Sequence, residues 1–79
     1  MQKPLSELKV GESGKVLSVE GEKKIRRRLF DMGVTPGTEV YLRKKAPLGD
    51  PIEIAIRGYE LTLRNAEAAC IMIETRGRR

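Results

Sequence analysis

Gly11-Glu12-Ser13-Gly14-Lys15 is the one stretch of this chain whose residue types suggest phosphate chemistry. A phosphate loop wraps backbone N–H groups round anionic oxygens. It needs a glycine five residues before the glycine of its Gly-Lys pair, and Ser or Thr after the lysine. Lys9 and Val16 stand in those two places. After Lys15 the chain alternates as a strand, where a phosphate loop would open a helix and set its N-terminus on the anion. The spacing speaks against nucleotide binding here.

Acid–base and nucleophilic chemistry are no better supplied. There is no histidine, so the usual base near neutral pH is missing. Cys70 is the only cysteine, has no imidazole to activate it, and is expected in a strand rather than at a helix N-terminus. Glu67, Cys70, Met72 and Glu74 are close in sequence, and strand alternation would put Cys70, Met72 and Glu74 on one face. One thiolate with no imidazole is a poor donor set for zinc or iron. A chain of 79 residues is also short for enclosing an ordinary substrate pocket. The expectation is a protein that is not an enzyme and has no cofactor, with at most a weak divalent-metal association.

The elements follow from pattern. Ser6 could cap a short helical turn ending before Gly11. Residues 11–21 read as a strand with Val16, Leu17 and Val19 apolar. A helix is predicted from about Glu22 to Met32, because Ile25, Leu29 and Met32 form one stripe, and Gly33 can take the left-handed conformation that stops it. Phe30 lies off that stripe, among the arginines. Pro36-Gly37 predicts a type II turn. Strand Glu39-Val-Tyr-Leu-Arg-Lys-Lys45 should turn Val40 and Leu42 inward. The Pro47-Leu48-Gly49-Asp50-Pro51 loop holds two of the chain's four prolines. Ile52, Ile54 and Ile56 face inward in the next strand, which a tight hairpin at Gly58 joins to one burying Leu61 and Leu63. Asn65 would cap one helical turn. The last strand, Cys70 to Thr75, points Ile71 and Ile73 at the core. Residues 76–79 form a basic tail without apolar anchors.

So few strands favour a strongly bent sheet over an open one with exposed edges. The expected fold is mainly β: a small SH3-like β-barrel of about five short strands with one inserted α-helix, one domain over residues 1–75. Such a chain buries only about 60–65% of its unfolded surface. Hydrophobic residues at 39% and charged residues at 34% suit a globular domain. No apolar run approaches the ~18–20 residues of a membrane span. The N-terminus lacks an apolar signal region, and a single cysteine precludes an internal disulfide, so a cytoplasmic location without membrane insertion is expected.

Net charge is +5, with basic clusters at Lys23–Arg28, at Arg43–Lys45 and in the tail. Such charge draws a molecule towards nucleic acid, anionic lipid or an acidic protein face. Phe30, Tyr41 and Tyr59 are spread over three elements and do not form the stacking platform of a single-strand reader. Nucleic-acid binding is the weaker alternative, and a transition-metal-sensing domain is another.

Three blocks stand in order: Leu29-x-x-Met32-Gly33 followed by Pro36-Gly37-Thr38, then Ala46-Pro-Leu-Gly-Asp-Pro51, then Leu63-Arg64-x-x-x-Ala68 before the final strand. From about Leu5 to Glu74 the chain closely resembles the FeoA family, small cytosolic accessory proteins of ferrous-iron transport. The resemblance implies an SH3-like barrel, also similar to the C-terminal domain of iron-dependent repressors, and a non-enzymatic role. It implies a partner too: the membrane transporter of ferrous iron, through its cytosolic GTP-binding part. A transition-metal-binding label goes with the family, but this chain has no histidine to serve it. Within that reading the contact candidates are the loop Pro47, Leu48, Gly49, Asp50 and Pro51, whose fixed φ angles lower the ordering cost of binding, and the helix face of Arg26, Arg27 and Phe30. An exposed Phe30 would also suit a homodimer.

Overall fold

The computed structural model describes residues 1–75, so the basic tail expected over 76–79 lies outside the described residues. Six antiparallel strands form one sheet: β1 (Gln2–Pro4), β2 (Ser13–Val19), β3 (Glu39–Lys45), β4 (Ile52–Ile56), β5 (Tyr59–Leu63) and β6 (Ile71–Thr75). Their order across the sheet is β1-β6-β2-β3-β4-β5. Helix α1 (Lys23–Asp31) connects β2 to β3, and the one-turn helix α2 (Asn65–Ala68) connects β5 to β6.

The expected strand count is one short. The extra strand, β1, is three residues long and pairs antiparallel with β6, Gln2 opposite Glu74 and Pro4 opposite Met72. Nothing local marks it. It is a strand because β6 offers an edge, and Pro4 ends it where a ladder donor is lost. The expected turn after it is a 3-10 turn at Leu5–Glu7 entered from Pro4, with no side-chain cap from Ser6. It buries Leu5, and the following Leu8 is buried beside it.

Two bulges let the sheet curl round its core. In β2 the register slips between Val16 and Ser18. Val16 and Val19, three apart, therefore both reach the core while Leu17 is left exposed. In β3 the slip lies between Leu42 and Lys44, so Arg43 is the extra residue. Val40, Leu42, Ile52, Ile54, Ile56, Leu63, Ile71 and Ile73 are buried as the alternation predicts. Leu61 is only partly buried against that core. The core is wholly aliphatic: Phe30, Tyr41 and Tyr59, the chain's three aromatic residues, are all exposed.

Helix α1 matches its predicted span to within a residue at each end. Leu29 is its buried anchor, with Ile25 and Met32 packed against the core edge. It ends in two reversed hydrogen bonds, Gly33 N–H to Phe30 O and Val34 N–H to Leu29 O, with Gly33 at φ +95°. Leu29 and Val34 are both fully buried, the apolar contact that accompanies this helix stop. The predicted turn at Pro36-Gly37 also forms, with Thr38 N–H on Thr35 O and Gly37 at φ +93°.

These two glycines differ in surroundings, and that gives a test. An added Cβ at Gly37 meets nothing within 4 Å, whereas at Gly33 it strikes the Tyr59 hydroxyl, which donates to Met32 O. Gly37→Ala should cost about 1 kcal/mol of left-handed strain. Gly33→Ala should lose a further ~1 kcal/mol with the displaced hydrogen bond. Urea denaturation reads the difference, and measured against a Tyr59→Phe reference, which already lacks that bond, Gly33→Ala should cost only about as much as Gly37→Ala.

The turn before β2 is tied by Glu12, which accepts from Lys9 N–H at 2.9 Å and faces Lys3 Nζ at 3.3 Å. The Lys9 N–H, with Lys3, holds the Glu12 carboxyl below its ordinary value against a smaller opposing effect of burial. A lowered folded-state pKa gives stability that is present above the unfolded value and fades as pH falls. Stability followed by denaturation should therefore fall below about pH 4.5, and Glu12→Gln should flatten that fall.

Candidate docking surface

The loop between β3 and β4 is built as a rigid bracket. Ala46 N–H donates to Pro51 O across its base, and Gly49 N–H donates to Ala46 O. Pro47 and Leu48 are therefore the central residues of a four-residue turn. Leu48 does not take positive φ, so the turn is type I, with proline and glycine at their favoured places. The Asp50–Pro51 peptide is cis. Leu48 stands at the apex, 95% exposed.

The base of the loop is latched to α2. Asp50 Oδ1 accepts from Asn65 N–H at 3.0 Å, and Asn65 Nδ2 donates to Gly49 O at 2.8 Å. The expected cap at Asn65 is thus corrected. The helix starts one residue earlier, with Arg64 as the flanking residue. The carboxylate capping the first turn comes from Asp50, which also suits the positive end of the helix. The amide of Asn65 is turned outward from its own helix to grip the loop.

Glu67 completes the bracket. One oxygen accepts Arg64 N–H at 2.9 Å, and the other is ion-paired with Arg28 of α1. Tyr59 fixes the same helix one turn further on, at its C-cap, through Met32 O. A shallow cavity of about 360 Å³ is lined by Arg28, Pro51, Arg64 and Glu67, among others. The structure therefore brings Arg28 beside Pro51 at the base of the loop, while Arg26, Arg27 and Phe30 form the separate helix face. Those three are exposed on the solvent side of α1. Phe30 lies three and four residues beyond Arg27 and Arg26, within reach of both on that face. It is 39% exposed, so it is neither core nor covered by the following loop.

Of the loop candidates, Gly49 and Asp50 are scaffold and Leu48 is presented. Pro47 and Pro51 do something composition does not reveal: both line one groove of about 310 Å³ with Lys44, Lys45, Ile52 and Thr62. Sequence reasoning missed Arg28, Asn65 and Glu67. Only the Asn-x-Glu spacing of 65 and 67 hinted at them, and their partners lie 15 and 39 residues away.

The other chemistry candidates come apart. Ser13–Lys15 lie in β2, Gly14 opposite Val40 and Thr75, and a Cβ on Gly14 would come 2.9 Å from Glu74 O. That glycine serves strand packing. Cys70 lies in the turn before β6, not in the strand as expected, because α2 ends only at Ala68. Its Sγ is 3.5 Å from Ala66 O and abuts Gly21. Glu67 is engaged by Arg28, and Glu74 by the Met1 ammonium at 2.7 Å, which holds its carboxyl below the ordinary value. Among the described residues no three of His, Cys, Asp or Glu come together as a metal site. No helix of the described residues is long and apolar enough to cross a membrane.

A small mainly β domain with a presented loop and a cationic helix, and no assembled catalytic set among its described residues, is the class this fold defines: an SH3-like domain. A family model for the FeoA domain matches residues 3–75, and the chain belongs to that family. An FeoA-like protein from Clostridium acetobutylicum superposes with a TM-score of 0.91 at 41% identity, over 99% of this chain and 91% of that one. FeoA of Stenotrophomonas maltophilia, solved with zinc and described as a prokaryotic SH3 domain protein, gives 0.80 at 32% identity, over 90% and 88%. A fusion of Fe(2+) transport protein A with Fe(2+) transporter FeoB, from Porphyromonas gingivalis, is 37% identical over 70 residues. The match covers 89% of this chain and only 8% of the fusion protein. A manganese-dependent transcriptional repressor shares the fold at a TM-score of 0.86 and 16% identity, over 94% of this chain and 41% of the repressor.

The latch gives the next test. Asn65→Ala keeps the backbone donor to Asp50 but loses the bond to Gly49, and should cost about 1 kcal/mol. Asp50→Ala removes the cap at a similar cost, about 0.5–2 kcal/mol. In the double variant ¹⁵N relaxation should show the Leu48 amide newly mobile, while Ile54 and Ile73 stay rigid.

Proposed function

We propose that this chain is a non-enzymatic accessory module of ferrous-iron uptake that docks onto the cytosolic GTP-binding part of the transporter. The observation that carries this is the Porphyromonas gingivalis fusion, in which a related segment is covalently joined to the transporter. A covalent link of that kind holds two partners at roughly millimolar effective concentration, so a domain retained there is used beside the transporter. Membership of the FeoA family supports the same reading.

The contact elements are the loop, with Leu48 as the apolar anchor, and the α1 face of Arg26, Arg27 and Phe30. Leu48 is already desolvation-ready: it is 95% exposed on a loop held at its base by hydrogen bonds. Little order has to be created on binding. A metal is no part of this proposal. The zinc seen with the Stenotrophomonas protein is a property of that protein, and the donors here are engaged in ion pairs and hydrogen bonds.

Titration of the chain against the transporter's cytosolic GTP-binding domain, with and without nucleotide, tests it. Leu48→Ala should weaken binding about tenfold with the denaturation midpoint unchanged. Arg26→Glu with Arg27→Glu should slow association and remove much of its salt dependence. Absence of binding to the domain in either nucleotide state, and to the intact transporter, would overturn the proposal.

A further inference from the structure

The groove beside the loop has the features of a receptor for a side chain. The bulge at Arg43 turns the end of β3 so that Lys44 and Lys45 stand on its rim. Pro47 and Pro51 form its walls, and their rings cannot collapse into it. Buried Ile52 supplies apolar surface, and Thr62 closes the side towards β5. A volume of about 310 Å³ accepts one aliphatic side chain with its backbone.

Charge decides what enters. Glu53, the acidic residue lining the groove, is shared between Arg43 at 3.5 Å and Lys44 at 3.9 Å. Lys45 is exposed and has no ion pair among the described residues. The rim is therefore net positive. A second copy of this chain could offer its own Leu48, but a symmetric contact would bring both copies' lysines together. We infer that this groove receives an apolar side chain flanked by carboxylates, on an acidic segment of a partner protein. The inference deepens the docking reading, since it names the chemistry the partner must present.

Short peptides test it without the transporter, so the two ideas can fail separately. The probe is Glu-Asp-Leu-Glu-Asp, blocked at both ends, titrated to millimolar concentration into the ¹⁵N-labelled full chain. Amide shifts should be confined to Lys44–Ile52 and Thr62. They should vanish with the central leucine replaced by alanine, and with the carboxylates replaced by lysines. Thr62→Trp, which fills the groove from an exposed position, should abolish them, as should Lys44→Glu with Lys45→Glu. No shifts with the acidic leucine peptide would overturn the inference. So would shifts that survive in Thr62→Trp. Stronger perturbation of the same amides by a thymidine oligonucleotide, or by phosphatidylglycerol vesicles, would assign the groove to nucleic acid or membrane and equally overturn it.

Discussion

The first turn of α2 is the joint on which the candidate docking surface hangs. A four-residue helix has no stability of its own, because the cost of nucleation is never recovered over so short a span. It exists here because Asp50 caps it from the β3–β4 loop, Glu67 reaches back to Arg64 N–H, and the buried Ala68 anchors it to the core. The same contacts work in reverse. Asn65 holds Gly49, and Glu67 holds Arg28, so loop, helix α1 and barrel share one polar junction. Removing any one member leaves the others with fewer partners, which makes the junction cooperative rather than a sum of separate bonds.

The barrel itself was largely legible in the residues. Period-two alternation marked Val40, Leu42, Ile52, Ile54, Ile56, Ile71 and Ile73 as core, and the helix stripe with Gly33 marked α1 and its end. What the pattern hid had non-local causes. β1 is a strand only because β6 needs a neighbour. The bulge at Leu17 breaks the alternation that would otherwise orient it. Cys70 fell outside its strand because α2 holds the chain through Ala68. In the candidate docking surface, Leu48 and Phe30 were visible as exposed candidates, and Gly49 and Asp50 as the residues that shape the loop. Their partner Asn65 sits 15 residues on, where no local rule connects it.

Surface composition separates scaffold from contact in a second way. On the outer face of β3, β4 and β5 the charges cancel: Arg43 reaches Glu60 at 2.9 Å and Glu53 at 3.5 Å. That face is neutralised and ordinary for a solvated sheet. On the solvent side of α1, at Arg26 and Arg27, and at Lys45 at the end of β3 no ion pair forms among the described residues, and two exposed apolar residues, Phe30 and Leu48, lie on the same two elements or next to them. Cations crowd α1 from its first turn, with no acidic residue there, against the preference of the helix dipole. A small protein that leaves charge unbalanced in one region and balances it in another carries a local cost that folding alone does not explain.

The wholly aliphatic core bears on the same point. Aromatic residues bury more surface per side chain than any others, and a 79-residue chain has little core to spare. Yet all three aromatics lie outside. Tyr59 is explained by its bond to Met32 O, which pins α1. Tyr41 projects from β3 opposite Ala55, where a small neighbour leaves its ring accessible. Phe30 carries no polar group for such a bond; it lies off the buried stripe, beside Arg26 and Arg27, and is 39% exposed. Its ring stands among cations on a helix whose last turn is held by Glu67 and Tyr59, which makes it a candidate contact on a fixed element.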